Sequence, residues 1–479
     1  MKKSIVLLSC AVAFSVIALA DSPKRELRAS WIATVENIDW PTTKITKTGA
    51  EAEQQIAAQK QELIVILDRL AATNMNVACL QIRPMADALY RTEITTWSYY
   101  LTSTRGKDPG YDPLRFAIDE AHKRGIELHG WMNPYRYRNS STPTFPEDDY
   151  MKVQHPEWIL NMSGSMILDP GLPEVRKHIA DVTKEVLVNY PDIDGILWDD
   201  YFYISEISSQ DNATFLAHNP ENLSLADWRR DNVNKTVKEV YDTIQAFNPE
   251  ILFGISPRGI WSTSREAAAK YGVELPEGIT GSDNYNSIYC DALAWLSEGT
   301  IDFISPQLYW ATTSTGQDYD VLCPWWYGVA KRYGRHFYSS MGLYRGWEND
   351  EYKLQIDRNR ATDSIAPGAI VFSDKNLAVY GPFLKASCFT SPSLRPLIDW
   401  KETKPLLPIT DLTLEGDLLK WNHGSAIKFS VYVLPQASTD DLKELEKSSN
   451  LLGVTYEKQF NISDYMSLLP THKFAVCAM

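Results

Sequence analysis

Residues 193–203 read Ile193-Asp194-Gly195-Ile196-Leu197-Trp198-Asp199-Asp200-Tyr201-Phe202-Tyr203: a short apolar run, two adjacent acids, then three aromatics. The same texture, a β-rich apolar run followed by a polar loop and a helical segment, recurs on both sides of it. The runs are Leu27–Val35, Asn76–Ile82, Ile126–Met132, Ile193–Trp198, Ile251–Ile255, Ile301–Pro306, His336–Met341 and Ala366–Phe372. Helical patterns separate them at Ala52–Thr73, Pro113–Arg124, Pro173–Asn189, Leu225–Phe247, Cys290–Glu298, Tyr319–Tyr333 and Glu351–Asp363. Pro173 falls in the first turn of its helix, where a missing N–H costs nothing. Eight runs alternating with helices predict parallel strands joined by crossover helices. A doubly wound open sheet would place a glycine-rich phosphate loop after its first strand. Val35-Glu36-Asn37-Ile38-Asp39-Trp40 stands there instead. The expected fold is therefore α/β, a (β/α)8 TIM barrel spanning residues 21–400.

At 479 residues the chain is too long for one core, since single cores stop growing near roughly 250–300 residues. After Trp400 the pattern changes. Lys404-Pro405-Leu406-Leu407-Pro408 reads as a stiff linker. Alternating runs at Leu412–Leu414, Leu418–Trp421, Lys428–Leu434 and Lys473–Cys477 then predict a small C-terminal β-sandwich over 401–479, resembling a fibronectin type III module and serving as spacer or attachment. At the other end, Lys2 and Lys3 precede an apolar stretch from Ile5 to Leu19 and a small-residue site at Ala18-Leu19-Ala20. Residues 1–20 are thus expected to be a removed signal peptide, leaving no membrane span and an exported protein of the periplasm or cell surface. Leu7-Leu8-Ser9-Cys10 makes a lipoprotein anchor the minor alternative.

Composition removes several function classes. The net charge is −14, with basic and acidic residues mixed on helices such as the one around Trp228–Tyr241, so no nucleic-acid partner is expected. The cysteines beyond residue 20 (Cys79, Cys290, Cys323, Cys388, Cys477) are scattered and unpaired in spacing, which suits neither a disulfide framework nor a zinc site. His122, His129, His155 and His178 form no HxH or HExxH group, and no GxSxG elbow is present. Neither metal nor cofactor is expected, and serine hydrolysis is disfavoured. Protein partners are not indicated.

Catalytic groups of such barrels sit at the C-terminal ends of the strands. Adjacent residues on a strand face opposite sides, so of Asp199 and Asp200 only one projects straight into the mouth. Asp199 is the first choice for the reactive carboxylate and Asp200 the second. The other strand ends combine planar polar groups with aromatic faces, as a sugar requires of its binding site. They supply the expected substrate contacts: Trp31, Gln81, Arg83, Asp87, Asn133, Tyr135, Arg136, Asp169, Tyr201, Tyr203, Ser256, Arg258, Gln307, Tyr309, Trp310 and Tyr344. Glycosidic bonds usually break between two carboxyl groups. Glu36, Asp39, Asp87, Asp169, Asp283 and Asp374 are the candidates for the second.

Seven segments carry a resemblance to a known family. They are Glu26 to Pro41, Gln81 to Tyr90, Trp131 to Arg136, Leu168 to Gly171, Asp194 to Tyr203, Gly254 to Pro257 and Ile304 to Trp310. Together, and in this order, they resemble the glycosyl-hydrolase-like 10 family of exported bacterial proteins. The resemblance implies a TIM barrel that hydrolyses O-glycosyl bonds in a polysaccharide. Through the divisome-localised relatives, it also implies peptidoglycan glycan strands lacking stem peptides as a substrate. The alternative is a barrel that binds glycan without cleaving it, or an envelope scaffold. Arg258 departs from the family pattern, where an apolar residue is expected after the Ser-Pro pair.

Overall fold

A computed structural model describes residues 22–401 and 406–479. The proposed signal peptide and part of the linker lie outside the described residues. Eight parallel strands form the central sheet: β1 (Leu27–Ile32), β2 (Val77–Arg83), β3 (Glu127–Met132), β4 (Gly195–Trp198), β5 (Leu252–Ile255), β6 (Phe303–Ile304), β7 and β8 (Gly368–Phe372). β7 is one strand in two pieces, His336–Phe337 pairing with β6 and Ser339–Gly342 pairing with β8. It therefore joins the two ends of the sheet and closes the barrel. Around it run α1 (Gly49–Ala72), α2 (Pro113–His122), α3 (Pro173–Asn189), α4 (Leu225–Phe247), α5 (Ala292–Glu298), α6 (Tyr319–Arg332), α7 (Asn349–Thr362) and α8 (Asp374–Ser387). Several helices start on the caps their sequences offer. Asp112 accepts from the Arg115 N–H ahead of Pro113, and Ser224 accepts from the Asp227 N–H. α8 has no counterpart in the sequence reading, because Gly381-Pro382 is a turn signal inside it.

The two-residue period of each strand divides the core in two. Leu27, Ala29, Trp31, Val77, Cys79, Trp131, Leu197, Leu252, Phe303, Tyr338 and Ile370 fill the lumen. The alternate residues, such as Ile32, Leu80, Met132, Trp198 and Ile304, pack against the helices. Gly254 lets Phe303 occupy the lumen, since a Cβ there would lie 2.1 Å from the Phe303 ring. One register shift matters for the site. β2 pairs Gln81 with Trp131, yet Arg83 with Met132, so β2 carries a bulge at Ile82.

The C-terminal residues form two three-stranded sheets. One contains β9 (Thr410–Glu415), β10 (Leu418–Asn422) and β13 (Gln459–Asn461); the other contains β11 (Phe429–Pro435), β12 (Leu451–Thr455) and β14 (His472–Ala478). Leu419, Trp421, Phe429, Val431, Ile462 and Val476 form their shared core. β12 and β13 were not foreseen, being short and weakly alternating.

This unit docks beside the N-terminal ends of β3 and β4, opposite the expected mouth. The Tyr456 hydroxyl donates to Asp194 Oδ1 at 2.7 Å, and its ring stacks on His122 at 3.6 Å. Gly125, at φ +69°, leaves room for the Val454 carbonyl, 2.1 Å from where a Cβ would stand. Buried Glu127 is paired with Arg395 and with Lys428 from the C-terminal unit. Burial opposes the charge on Glu127, but the two cations overcome it and hold the carboxyl well below its usual range. Stability from this cluster is therefore present near neutrality and is lost as pH falls toward and below the ordinary carboxylate value. Lys428→Met leaves a buried carboxylate half-paired. Urea denaturation should show a loss of about 3 kcal/mol at pH 7, shrinking below about pH 4.

Candidate active site

In six of the eight strands the inward period runs on past the last apolar residue and ends on a polar one. Gln81 follows Cys79, Asn133 follows Trp131, Asp199 follows Leu197, and Ser256, Ser305 and Ser340 complete the layer. The serines bond to one another, Ser305 Oγ to Ser340 Oγ at 3.0 Å and Ser256 Oγ to Ser340 Oγ at 3.3 Å. The other half of the layer is a directed line. Thr34 N–H and Val35 N–H both donate to Gln81 Oε1, at 2.9 and 2.8 Å, which fixes the amide so that Nε2 points at Asn133 Oδ1, 2.6 Å away. Asn133 Nδ2 then donates to Asp199 Oδ1 at 2.6 Å, and the Trp131 indole N–H donates to Oδ2 at 3.1 Å.

Asp199 is only 4% exposed. Burial pushes its carboxyl up to about 6; nearby Arg136 works against that rise, while the Asp200 charge adds to it. Asp200 takes the other side, as strand alternation requires. It is held by Arg258 Nε and Gln307 Nε2, both at 2.8 Å, from the ends of β5 and β6. The two adjacent acids thus occupy different settings, one closed in by indole and amide donors and the other ion-paired.

A cavity of about 160 Å³ opens beside Asp200, between the loop after β4 and a small antiparallel sheet inserted after β3. Arg136, Met166, Tyr201, Tyr203, Glu206 and Arg258 are among its lining residues. The Arg136 guanidinium lies 3.6 Å over the exposed Tyr201 ring. Tyr309 meets the exposed Tyr344 edge-on at 5.6 Å. Trp310 is half-buried, while Trp31 lies under the polar layer with its ring 4.7 Å from that of Trp131. A larger groove of about 700 Å³ lies between α1 and α8, outside the barrel and away from Asp199.

Five expected contacts do not reach the mouth, Trp31 beneath the polar layer being one of them. The β2 bulge brings Arg83 opposite the outward-facing Met132, where it is fully buried near Tyr90 and Asp87. Asp87 accepts from the Met85 N–H and from Arg105, and so shapes the β2–α2 loop. Tyr135 is buried among the helices. Asp169 accepts from the Gly171 N–H and the Thr214 hydroxyl, holding the turn before α3. Asp39, Asp283 and Asp374 are spent similarly. Asp39 accepts from Ala33 N–H and Ser373, Asp283 caps a short helix, and Asp374 pairs with Arg69. Glu36 is exposed at φ +54° and accepts from Ser141 at 2.6 Å. Glu206 was missed in the sequence, since it sits in the loop well past the strand with nothing local to mark it. Among the described residues, no three His, Cys, Asp or Glu side chains converge as a metal site.

The family described as Glycosyl hydrolase-like 10 matches residues 26–351, which takes in all the strand ends above except the end of β8. The Bacillus subtilis (strain 168) protein named glycosyl hydrolase YngK is 38% identical over 417 residues, covering 83% of this chain and 79% of the relative. The Escherichia coli (strain K12) protein named glycosyl hydrolase DigH is 33% identical over 386 residues, covering 75% of this chain and 85% of the relative.

The raised carboxyl has a thermodynamic signature. Folded Asp199 keeps its proton up to about pH 6, whereas the unfolded chain releases it near 3.8, the ordinary value for an aspartate, so wild type loses stability as pH rises through that window. Asp199→Asn removes this term. The stability difference between variant and wild type should move in the variant's favour by about 2–3 kcal/mol between pH 4 and pH 8, measured by denaturant titration. A pH-independent difference would contradict the assignment.

Proposed function

The chain belongs to the glycosyl hydrolase-like 10 family, and from that premise we propose that its barrel mouth hydrolyses O-glycosyl bonds of a polysaccharide with Asp199 as the general acid. The observation carrying this reading is the Asp199 carboxyl, buried on the top layer of the lumen, held by Asn133 and Trp131, and pushed up to about 6. An acid of that kind keeps its proton at mildly acidic pH and gives it to a leaving oxygen when the C–O bond breaks. Glu206 is the partner carboxylate in this proposal. It lines the same cavity as Asp200 and, among the described residues, bears no Lys, Arg or His on its carboxylate. It serves as base or nucleophile at the sugar carbon, on the side away from the departing oxygen. Asp200 keeps Arg258 and Gln307 in place, and the rings of Tyr201, Tyr309 and Tyr344 offer stacking faces to the sugar.

The physiological setting we propose is the cell envelope, reached through an export signal at residues 1–20. The substrate would be peptidoglycan glycan strands lacking stem peptides, as the resemblance to the exported family implies and as a tyrosine-lined mouth suits. The C-terminal sheets, read as a fibronectin type III-like unit, would act as a base for the barrel.

Purified protein should be incubated with amidase-treated peptidoglycan and a panel of neutral and acidic glycans, with products identified by mass. Asp199→Asn and Glu206→Gln should each lower kcat by about 10²–10⁴-fold while the protein stays folded. In wild type, kcat/KM should fall on an alkaline limb near pH 6 as Asp199 loses its proton. Full turnover by Asp199→Asn would remove the proposal.

A further inference from the structure

The cavity beside the two aspartates is unusual in a chain of net charge −14, because two guanidinium groups face it with donors to spare. Arg136 is 4% exposed. Its Nε is buried without a partner, Nη1 makes one long contact of 3.5 Å to Asn133 Oδ1, and Nη2 is 4.0 Å from Asp199 Oδ2. What holds it is the Tyr201 ring below, at 3.6 Å. Arg258 spends Nε on Asp200, and its side chain is 38% exposed. Among the described residues neither of its Nη atoms has a hydrogen-bond acceptor. Buried polar groups in native proteins are almost always paired, so the unpartnered Arg136 Nε, on the cavity wall beside the solvent-facing Arg258 nitrogens, leaves room for an acceptor brought by a ligand.

We propose that Arg136 and Arg258 form a carboxylate-binding subsite beside Asp199 and Asp200, so that the preferred substrate is an acidic glycan. This rests on the reading of the same mouth as a glycan site. The charge balance agrees. With a proton on Asp199, as an acid catalyst requires, the two aspartates and two arginines sum to one positive charge, which a substrate carboxylate neutralises. A flat guanidinium matches a carboxylate with two parallel hydrogen bonds, whereas a lysine would offer a point charge. Two sugar chemistries that carry such a group are the ring carboxylate of a uronic acid and the lactyl ether carboxylate of muramic acid once no peptide is attached. In the second case the subsite would itself reject strands that keep their stem peptides, because an amide at that carbon has no negative charge to offer.

The test is calorimetric titration of full-length Asp199→Asn protein with four tetrasaccharides. They are an N-acetylglucosamine–N-acetylmuramic acid oligomer with free lactyl carboxylates, the same oligomer with those carboxyls amidated, tetragalacturonate, and chitotetraose. At least one acidic probe should bind about 30-fold or more tighter than its uncharged counterpart, and 0.5 M salt should erode that margin. Preference for the first probe identifies the lactyl source, and preference for the third the uronic source. Adding Arg258→Gln or Arg136→Gln should bring the charged-to-neutral ratio within about 3-fold, with Arg258→Lys recovering part of the margin. Equal affinity for charged and uncharged probes, or binding of none at millimolar concentration, overturns the subsite. The hydrolase reading fails separately: charge-selective binding in a wild-type protein that cleaves none of the four would sink that reading and leave the subsite standing.

Discussion

A carboxyl group enclosed at the top of an apolar lumen dictates the arrangement around it. Asp199 needs donors, and its two side-chain donors, an amide and an indole, both belong to the β3 end, while the Tyr201 N–H of its own loop adds a longer contact. The amide of Asn133 is itself oriented by Gln81, whose oxygen is occupied by the backbone of the segment leaving β1. Four neighbouring strands, β1 to β4, must therefore keep their mutual register for one side chain to be held. Closure of the barrel through the two pieces of β7 fixes that register by leaving the sheet no free edge along which to slip.

Much of this could be read in the chain. The eight strand positions follow from short apolar runs set between amphipathic helices, and the assignment of Asp199 to the lumen follows from counting in twos from Leu197. What could not be read shares a cause: the chain's local pattern and its three-dimensional use diverge. Gly381-Pro382 reads as a turn, yet Leu377 and Leu384 bury one face of α8 and carry the helix through it. Asp87 and Asp169 look like any polar residue at a strand end, and only the backbone N–H groups they accept reveal that they shape loops. Glu206 comes to the cavity because the loop after β4 folds back over the mouth, a path that periodicity does not encode.

The two ends of the barrel are built on opposite electrostatic principles. At the N-terminal end, Glu127 is paired with Arg395 and Lys428, and Asp194 is hydrogen-bonded by His122 and Tyr456, so that the C-terminal sheets lie on acids whose partners are already in place. At the mouth, acids and arginines stand close together without saturating each other. Completed pairs hold a surface together; incomplete ones leave it able to respond to whatever enters.

The bulge at Ile82 has a consequence for how this barrel can vary. One extra residue in β2 lets Gln81 look inward while Arg83 is buried facing the helices. Were the same residues to pair in strict alternation, Arg83 would share the face of Gln81 and the guanidinium would turn into the pore, next to the amides that orient Asp199. The offset at Ile82 is thus a stricter constraint on this strand than most of its side-chain identities. Homologous barrels should tolerate swaps of one apolar residue for another along β2 far more readily than loss of the bulge between Gln81 and Arg83.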